Sequence, residues 1–397
     1  MKIVDVCAFY SEQGGGVRTY IDQKLRAAEK FKQYVDVIVP AASNATRQVN
    51  DYGRIIQIKA PTLIVDKRYY WFDDEAAVHA LLDDIQPDLI EASSPWKTAN
   101  IVANWQGNAS GKPVKRAMYM HADPMSAYAY RWFGKVFQRP TIDKQFGWFW
   151  RHLRRMNKQY DSFVCPNQNL CERLVEGGVS KAKTISMGVE GDVFGPKYQD
   201  ETVRQDMLAA CDLGPDAALF VGVGRFSSEK RWPMVIDAIS NASKKKAIGL
   251  AIIGGGRQEK KLVSHVGHNP HIKIISHVSE RKTLAALLAS ADGLVHGCEA
   301  ETFGLVAAEA KAAGAPMILP NSGGAADFYD PARGETYKGG SRSSLEKAVL
   351  RFLERDQESL RSAAHAASRE VRTLNDHFHD LFSHYKTLLE HELAPAE

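Results

Sequence analysis

Apolar positions along this chain follow two rhythms. Short runs rich in Val, Ile and Leu end in Gly, Pro, Ser or Asn, and each is followed by a longer stretch with apolar residues at helical spacing. In the first half the runs are "KIVDVCAF", "YVDVIVP", "DLIEASS", "KRAMYMH" and "DSFVCPN". In the second they are "ALFVGVG", "GLAIIGGG", "HIKIISHV", "DGLVHG" and "APMILP", with the helix "RWPMVIDAISNASKK" between the first two. Strands alternating with helices predict parallel sheets covered by helices, and the restart of the rhythm predicts two Rossmann-like α/β domains in tandem. The Gly-rich stretch "GVEGDVFGPKYQD" (188–200), with Pro196, reads as the linker. It sets the domains at 1–192 and 193–374. The amphipathic segment "NDHFHDLFSHYKTLLEHEL" has no strand after it, so residues 375–397 are expected to pack back on the first domain.

Composition narrows the class. At 397 residues and 44% hydrophobic, the chain has enough apolar material for two cores. A net charge of +4 is too mild to indicate a nucleic-acid protein. Five scattered cysteines, never spaced as CxxC, indicate neither a disulfide framework nor a zinc site, and point to a reducing compartment. No run of about 18 apolar residues occurs and the N-terminus lacks a signal-like apolar stretch. The expectation is a cytoplasmic protein without membrane spans.

Three loops sit where parallel sheets gather ligands, at the carboxyl ends of strands leading into helices. "SEQGGGVRTY" carries Gly14, Gly15 and Gly16, which let a backbone approach a ligand and equally suit a plain tight turn. "GVGRFSSEKRW" sets Arg225 and Lys230 beside a helix start, a pairing that suits a diphosphate; two solvated charges are the alternative. The glycines of "IIGGGRQEKK" fit close strand-to-helix packing better than ligand contact. The dinucleotide pattern GxGxxG is absent from all three, and no acid ends a second strand at the matching distance, which argues against a nicotinamide dehydrogenase. "EAETFGLVAAEAKAAGAP" places Glu301 and Glu309 eight apart in small apolar surroundings, too far apart to form an (i, i+4) surface pair.

With Arg225 and Lys230 ahead of it, "EAETFGLVAAEAKAAGAPMILPNSGGAADF" closely resembles the signature of the family-4 retaining glycosyltransferases, which adopt the GT-B fold of two facing Rossmann-like domains. "GGGVRTYI", "MYMHADP", "TISMGVEGDVFGP" and "GRFSSEKRWPMVIDAI" extend the resemblance over nearly the whole chain. It implies that Glu301 meets the hydroxyls of a donor sugar, that Glu309 binds the ribose of its nucleotide, and that Thr302, Phe303, Gly304 and Leu305 line the sugar and diphosphate. Gly15 and Gly16 would approach the donor, and His277 and Val278 would lie near the base. His121 would contact the reacting sugar, with a satisfied core histidine as the alternative. Arg225 and Lys230 would stabilise the leaving diphosphate without an enzyme-bound metal or cofactor, while the acceptor hydroxyl attacks from the departing face. His296 and Cys298 stand where the family more often has Pro and Ser, a departure expected to alter loop packing only. His277 stands where glycine is common, which leaves the base contacts open.

The acceptor is read from residues 126–160, where eight Lys or Arg face a single Asp among ten aromatics. Basic and aromatic residues together suit an anionic membrane surface, and core aromatics with solvated cations are the other reading. No nucleic-acid module is recognisable. The leading expectation is therefore a retaining hexosyltransferase using a UDP-sugar, with a membrane lipid such as diacylglycerol or a lipid-linked saccharide as acceptor, peripheral on the inner face of the plasma membrane. A soluble acceptor, a nucleotide-sugar epimerase and a non-catalytic nucleotide-sugar binder are the alternatives.

Overall fold

The computed structural model describes residues 1–10, 16–63, 67, 69–108, 111–121, 123, 125, 129, 133, 138–276 and 278–390. Two compact units divide the chain. One comprises Met1–Ser186 with Leu374–Glu397, the other Met187–Thr373. The division falls ahead of residue 192 because the N–H of Val189 donates to the carbonyl of Arg372 at 2.9 Å, so the outgoing strand of the linker is held by the returning one.

The first unit is built on β1 (Lys2–Val6), β2 (Tyr34–Ala41), β3 (Ala45–Asn50), β4 (Gly53–Lys59), β5 (Leu89–Ala92), β6 (Lys115–Tyr119), β7 (Ser162–Cys165) and β8 (Ala182–Thr184). Their order is β3-β4-β2-β1-β5-β6-β7-β8, parallel throughout except for β3 against β4. Register is set by pairs such as Ile3 with Val35 on one side and Leu89 on the other. The helix Leu374–Glu390 belongs to this unit and buries Phe378, Leu381, Phe382 and Tyr385.

The second unit carries β9 (Ala218–Val223), β10 (Ile248–Ile253), β11 (Ile272–Ile275), β12 (Gly293–Val295), β13 (Met317–Pro320) and β14 (Gly334–Tyr337), in the order β11-β10-β9-β12-β13-β14. Along β9, Leu219, Val221 and Val223 enter one apolar layer while Phe220 enters the other, and Ala251 and Ile252 of β10 divide likewise. A strand buried on both faces must be apolar at every position, which is why these runs stand out in the sequence. Read by occurrence, the order is that of mononucleotide-binding halves, with a topological switch between β9 and β12. Ligands of such sheets collect at the carboxyl ends of the strands flanking that switch.

All five cysteines are buried free thiols. No helix among the described residues is long and apolar enough to cross a membrane.

Candidate active site

At the switch of the second unit, β9 runs out through Arg225 into the single turn Ser228–Lys230 and then the helix Trp232–Ala242, whose first turn takes Pro233. β12 runs out through His296–Gly304 into the helix Leu305–Ala312. The two loops touch backbone to backbone. A Cβ on Gly297 would lie 2.4 Å from the carbonyl oxygen of Lys230, so only glycine allows this approach. Gly304 caps the second helix at φ +87°, a left-handed conformation, with Ala325 so close that a Cβ would meet its Cα at 2.9 Å. The carbonyl of Glu301 accepts from the N–H of Gly324 at 2.7 Å, which ties the loop to the chain after β13.

This geometry sets Lys230 against Glu301. The ammonium is ion-paired and hydrogen-bonded to Oε1, with the two side chains 12% and 22% exposed. Burial is the largest single influence on the Lys230 ammonium and would depress it, but the Glu301 charge, the hydrogen bond to Glu301 and Cys298 together outweigh it and raise the ammonium above the ordinary lysine range. Burial would likewise raise the Glu301 carboxyl, yet Lys230, His296 and Arg225 together hold it below its usual value. Both groups are therefore charged at neutral pH. Arg225 is 58% exposed, paired loosely with Glu229 at 3.5 Å, and its charge still bears on Lys230 and Glu301. The cluster thus pairs one carboxylate with one close cation and one outer cation that faces solvent.

Glu309 lies inside the helix Leu305–Ala312, buried, and accepts from the Arg281 guanidinium at 2.6 Å. Burial pushes its carboxyl up, against the opposing pull of Arg281. Arg281 also reaches Glu190 at 3.5 Å and lies 4.8 Å over the Phe194 ring. A ligand hydroxyl at Glu309 would therefore share the carboxylate with a guanidinium, a partner that sequence reasoning missed. The preceding acid, Glu299, is taken up by Arg231, whose Nε donates to Oε2 at 2.7 Å.

Of the other expected donor residues, Phe303 packs edge-on against Phe328 and, with Val278, leans on the apolar layer. Thr302 and Leu305 are half-buried in the same turn. Gly16 begins the helix Gly16–Lys30 with open space around it. Gly15 and His277 lie outside the described residues. His296 is not confined to loop packing: its ring is buried, and Nε2 stands 3.7 Å from Glu301 Oε1 with no hydrogen-bond partner among the described residues.

The corresponding place in the first unit, between β1 and β5, holds a buried set of charges. Lys24 Nζ donates to Asp5 Oδ2 at 2.8 Å and meets Glu91 Oε2 at 2.9 Å, all three side chains fully buried. Tyr385, from the helix Leu374–Glu390, donates its hydroxyl to Glu91. Burial and the Asp5 charge raise the Glu91 carboxyl to about 7 against the pull of Lys24. Ser93 donates to Asp5 Oδ1 at 2.6 Å. The one hydroxyl proton of Ser93 is thereby spent, so the 3.3 Å contact with His121 has Nε2–H donating to Ser93 Oγ, which leaves Nδ1 as the acceptor. Burial depresses the His121 imidazole to about 4, so it is neutral at pH 7. An acid within an apolar strand, Asp5 in "KIVDV" and Glu91 in "LIEA", was the sequence signal for this network.

The family model described as Glycosyltransferase Family 4 matches residues 14–192, and that described as Glycosyl transferases group 1 matches 207–370. The GDP-mannose-dependent alpha-(1-6)-phosphatidylinositol dimannoside mannosyltransferase of Mycobacterium tuberculosis is 27% identical over 320 residues, 80% of this chain and 79% of that one. A sulfoquinovosyl transferase of Arabidopsis thaliana is 24% identical over 297 residues, 72% of this chain and 53% of its own. Among solved structures, sucrose-phosphate synthase from Thermosynechococcus elongatus superposes with a TM-score of 0.77 at 16% identity, over 98% of this chain and all of that one, which establishes the GT-B fold.

Proposed function

Since the chain belongs to the family-4 glycosyltransferases of GT-B fold and is a hexosyltransferase, we propose that it moves mannose from GDP-mannose to a hydroxyl of a lipid-borne acceptor, with retention at the anomeric carbon. The observation that carries this reading is the Lys230–Glu301 pair beside Arg225 at the switch between β9 and β12. Negative charge develops on the diphosphate as the glycosidic bond breaks. Lys230 and Arg225 are fixed cations at that position, and groups of this kind contribute on the order of 10²- to 10³-fold in rate. Glu301, charged and half-shielded, accepts from hydroxyls of the sugar, and Glu309 accepts from the ribose. The departing phosphate takes the proton of the acceptor hydroxyl, so no protein nucleophile and no bound metal enter the step. His121, neutral with Nδ1 free to accept, makes a polar contact at the reacting sugar.

A relative named for GDP-mannose moves the nucleotide from the uridine expected from sequence to guanosine. Relatives named for phosphatidylinositol mannoside and sulfoquinovosyl transfer support a lipid acceptor. The helix Gly147–Gln159 supports contact with an anionic membrane. Phe149, Trp150, Leu153 and Met156 form its buried face, while Trp148, three positions before the exposed Arg151, is 51% exposed and 6.1 Å from the exposed Trp96. The aromatics of 126–160 thus divide, part core and part surface; residues 126–128, 130–132 and 134–137 lie outside the described set. The test is a panel of GDP-mannose, UDP-glucose and UDP-galactose, with and without membrane lipid extract, read by release of nucleoside diphosphate. GDP release stimulated by the extract is the expected result. Release of UDP alone would overturn the donor, and stimulation only by water-soluble sugars would overturn the acceptor. Sedimentation with anionic but not neutral liposomes, lost in a Trp148→Ser, Arg151→Glu variant, checks the membrane contact.

A further inference from the structure

His296 is held on both sides. Its N–H donates to the carbonyl of Ile318 at 3.0 Å and its own carbonyl accepts from the Tyr337 hydroxyl at 2.8 Å. Its side chain is 2% exposed, and among the described residues Nε2 has no hydrogen-bond partner, a condition rare in folded proteins and one that calls for a reason. The reason lies 3.7 Å away, where Glu301 Oε1 is occupied by Lys230. Burial and the Lys230 charge keep this imidazole neutral, near 4, and the facing carboxylate favours the tautomer with the proton on Nε2.

One oxygen with two candidate donors, one of them a cation wanted elsewhere, defines an exchange. A diphosphate arriving beside Arg225 draws the Lys230 ammonium toward it, and Oε1 then loses its partner. Resting on the donor-site reading above, we propose that His296 is a positioning residue that takes over Glu301 at that moment. Closing 3.7 Å to an N–H···O bond of about 2.9 Å needs a shift of under about 1 Å. A neutral N–H holds the carboxylate in place without neutralising it, so its charge stays available to the sugar hydroxyls. An imidazolium would instead compete with them. Glu301 thus alternates between Lys230 in the empty site and His296 in the loaded one.

Two substitutions separate the hydrogen bond from the volume. His296→Phe fills the space without an N–H, and His296→Gln keeps an N–H in reach of Glu301. With GDP-mannose, His296→Phe should lower kcat by about 10- to 100-fold, the usual range for a hydrogen bond to a charged group, with KM changed little. His296→Gln should recover most of that loss, and His296→Phe should add little to Glu301→Gln. Equal kcat in wild type and His296→Phe, or equal losses in both single variants, would overturn the exchange. A readout independent of turnover uses inorganic pyrophosphate and protein labelled with ¹⁵N at histidine. Pyrophosphate should shift the Nε2–H resonance assigned by its absence from His296→Gln, in the direction of a stronger hydrogen bond. Binding without that shift overturns the inference alone, whereas no binding of pyrophosphate removes the diphosphate site and the inference with it. The shift in a protein that leaves GDP-mannose intact would sink the donor assignment and keep the exchange.

Discussion

Both units gather charge at the same place in the fold, where the first strand meets the strand beyond the switch, yet they do opposite things with it. In the first unit Lys24, Asp5 and Glu91 are fully buried and answer one another, with Tyr385 and Ser93 as further donors and Glu91 Oε1 left without a hydrogen-bond partner among the described residues. In the second, Lys230 and Glu301 retain some exposure, Arg225 is open, and His296 Nε2 is unanswered among the described residues. A cluster whose charged side chains are all shut away from solvent offers no face to a ligand. The part-exposed one can trade partners, which supports the binding and chemistry proposed for it, while the full burial of the first charges points to a part in stability.

The sharpest way to break this contrast is to remove one cation from each. Lys24→Met leaves two buried carboxylates without their cation, and breaking a buried ion pair in this way costs about 3–5 kcal/mol. Chemical denaturation should therefore show a large loss of stability. Lys230→Ala should leave the denaturation midpoint nearly unchanged and reduce turnover by about 10²-fold or more, as should Arg225→Ala. A stable Lys24→Met protein, or a Lys230→Ala enzyme with the wild-type rate, would erase the distinction.

A smaller effect sharpens the open cluster itself. Glu309 is held by Arg281 and lies inside the helix, while Glu301 answers to Lys230, the cation proposed to meet the diphosphate. Glu309→Ala should raise the KM for donor by about 10-fold with kcat nearly kept, and Glu301→Ala should lower kcat by a comparable or larger factor, since its contacts strengthen as charge develops. Steady-state kinetics with varied donor separates the two. Small and equal effects would mean that the two acids do not divide the ligand.

How much of this was legible in the sequence follows from what each residue needed. The ten apolar runs all became strands; the central ones, buried on both faces, have no polar register to hide in, and the edge strand β11 still carries three isoleucines. β3 was not legible: it is exposed at nearly every position and lies antiparallel at the sheet edge, so no apolar pattern marks it. β8 and β14 are short and largely polar. Lys230 and Glu301 were readable from their loops and spacing, although not their mutual pairing, which depends on two loops touching at Gly297. Arg281 and His296 matter only through partners that distant segments supply, and no local pattern announces such a partner.

The smallest effect compares the two neutral histidines, one in each unit. Burial depresses both His121 and His296 to about 4 from an ordinary 6.5. In the unfolded chain these rings take up a proton as pH falls through 6.5, while the folded chain resists it until about 4. The unfolded state therefore binds more protons in that window, and each histidine makes stability fall as pH falls. His296→Gln removes one such group without emptying the space. By pH 5 the variant should have gained on wild type, relative to their difference at pH 7.5, by roughly 2 kcal/mol at most. Denaturant unfolding of both proteins at several pH values measures this directly. Parallel stability curves from pH 7.5 to 5 would mean that the His296 ring already accepts its proton in the folded enzyme, and the neutral donor assigned to it beside Glu301 would be lost.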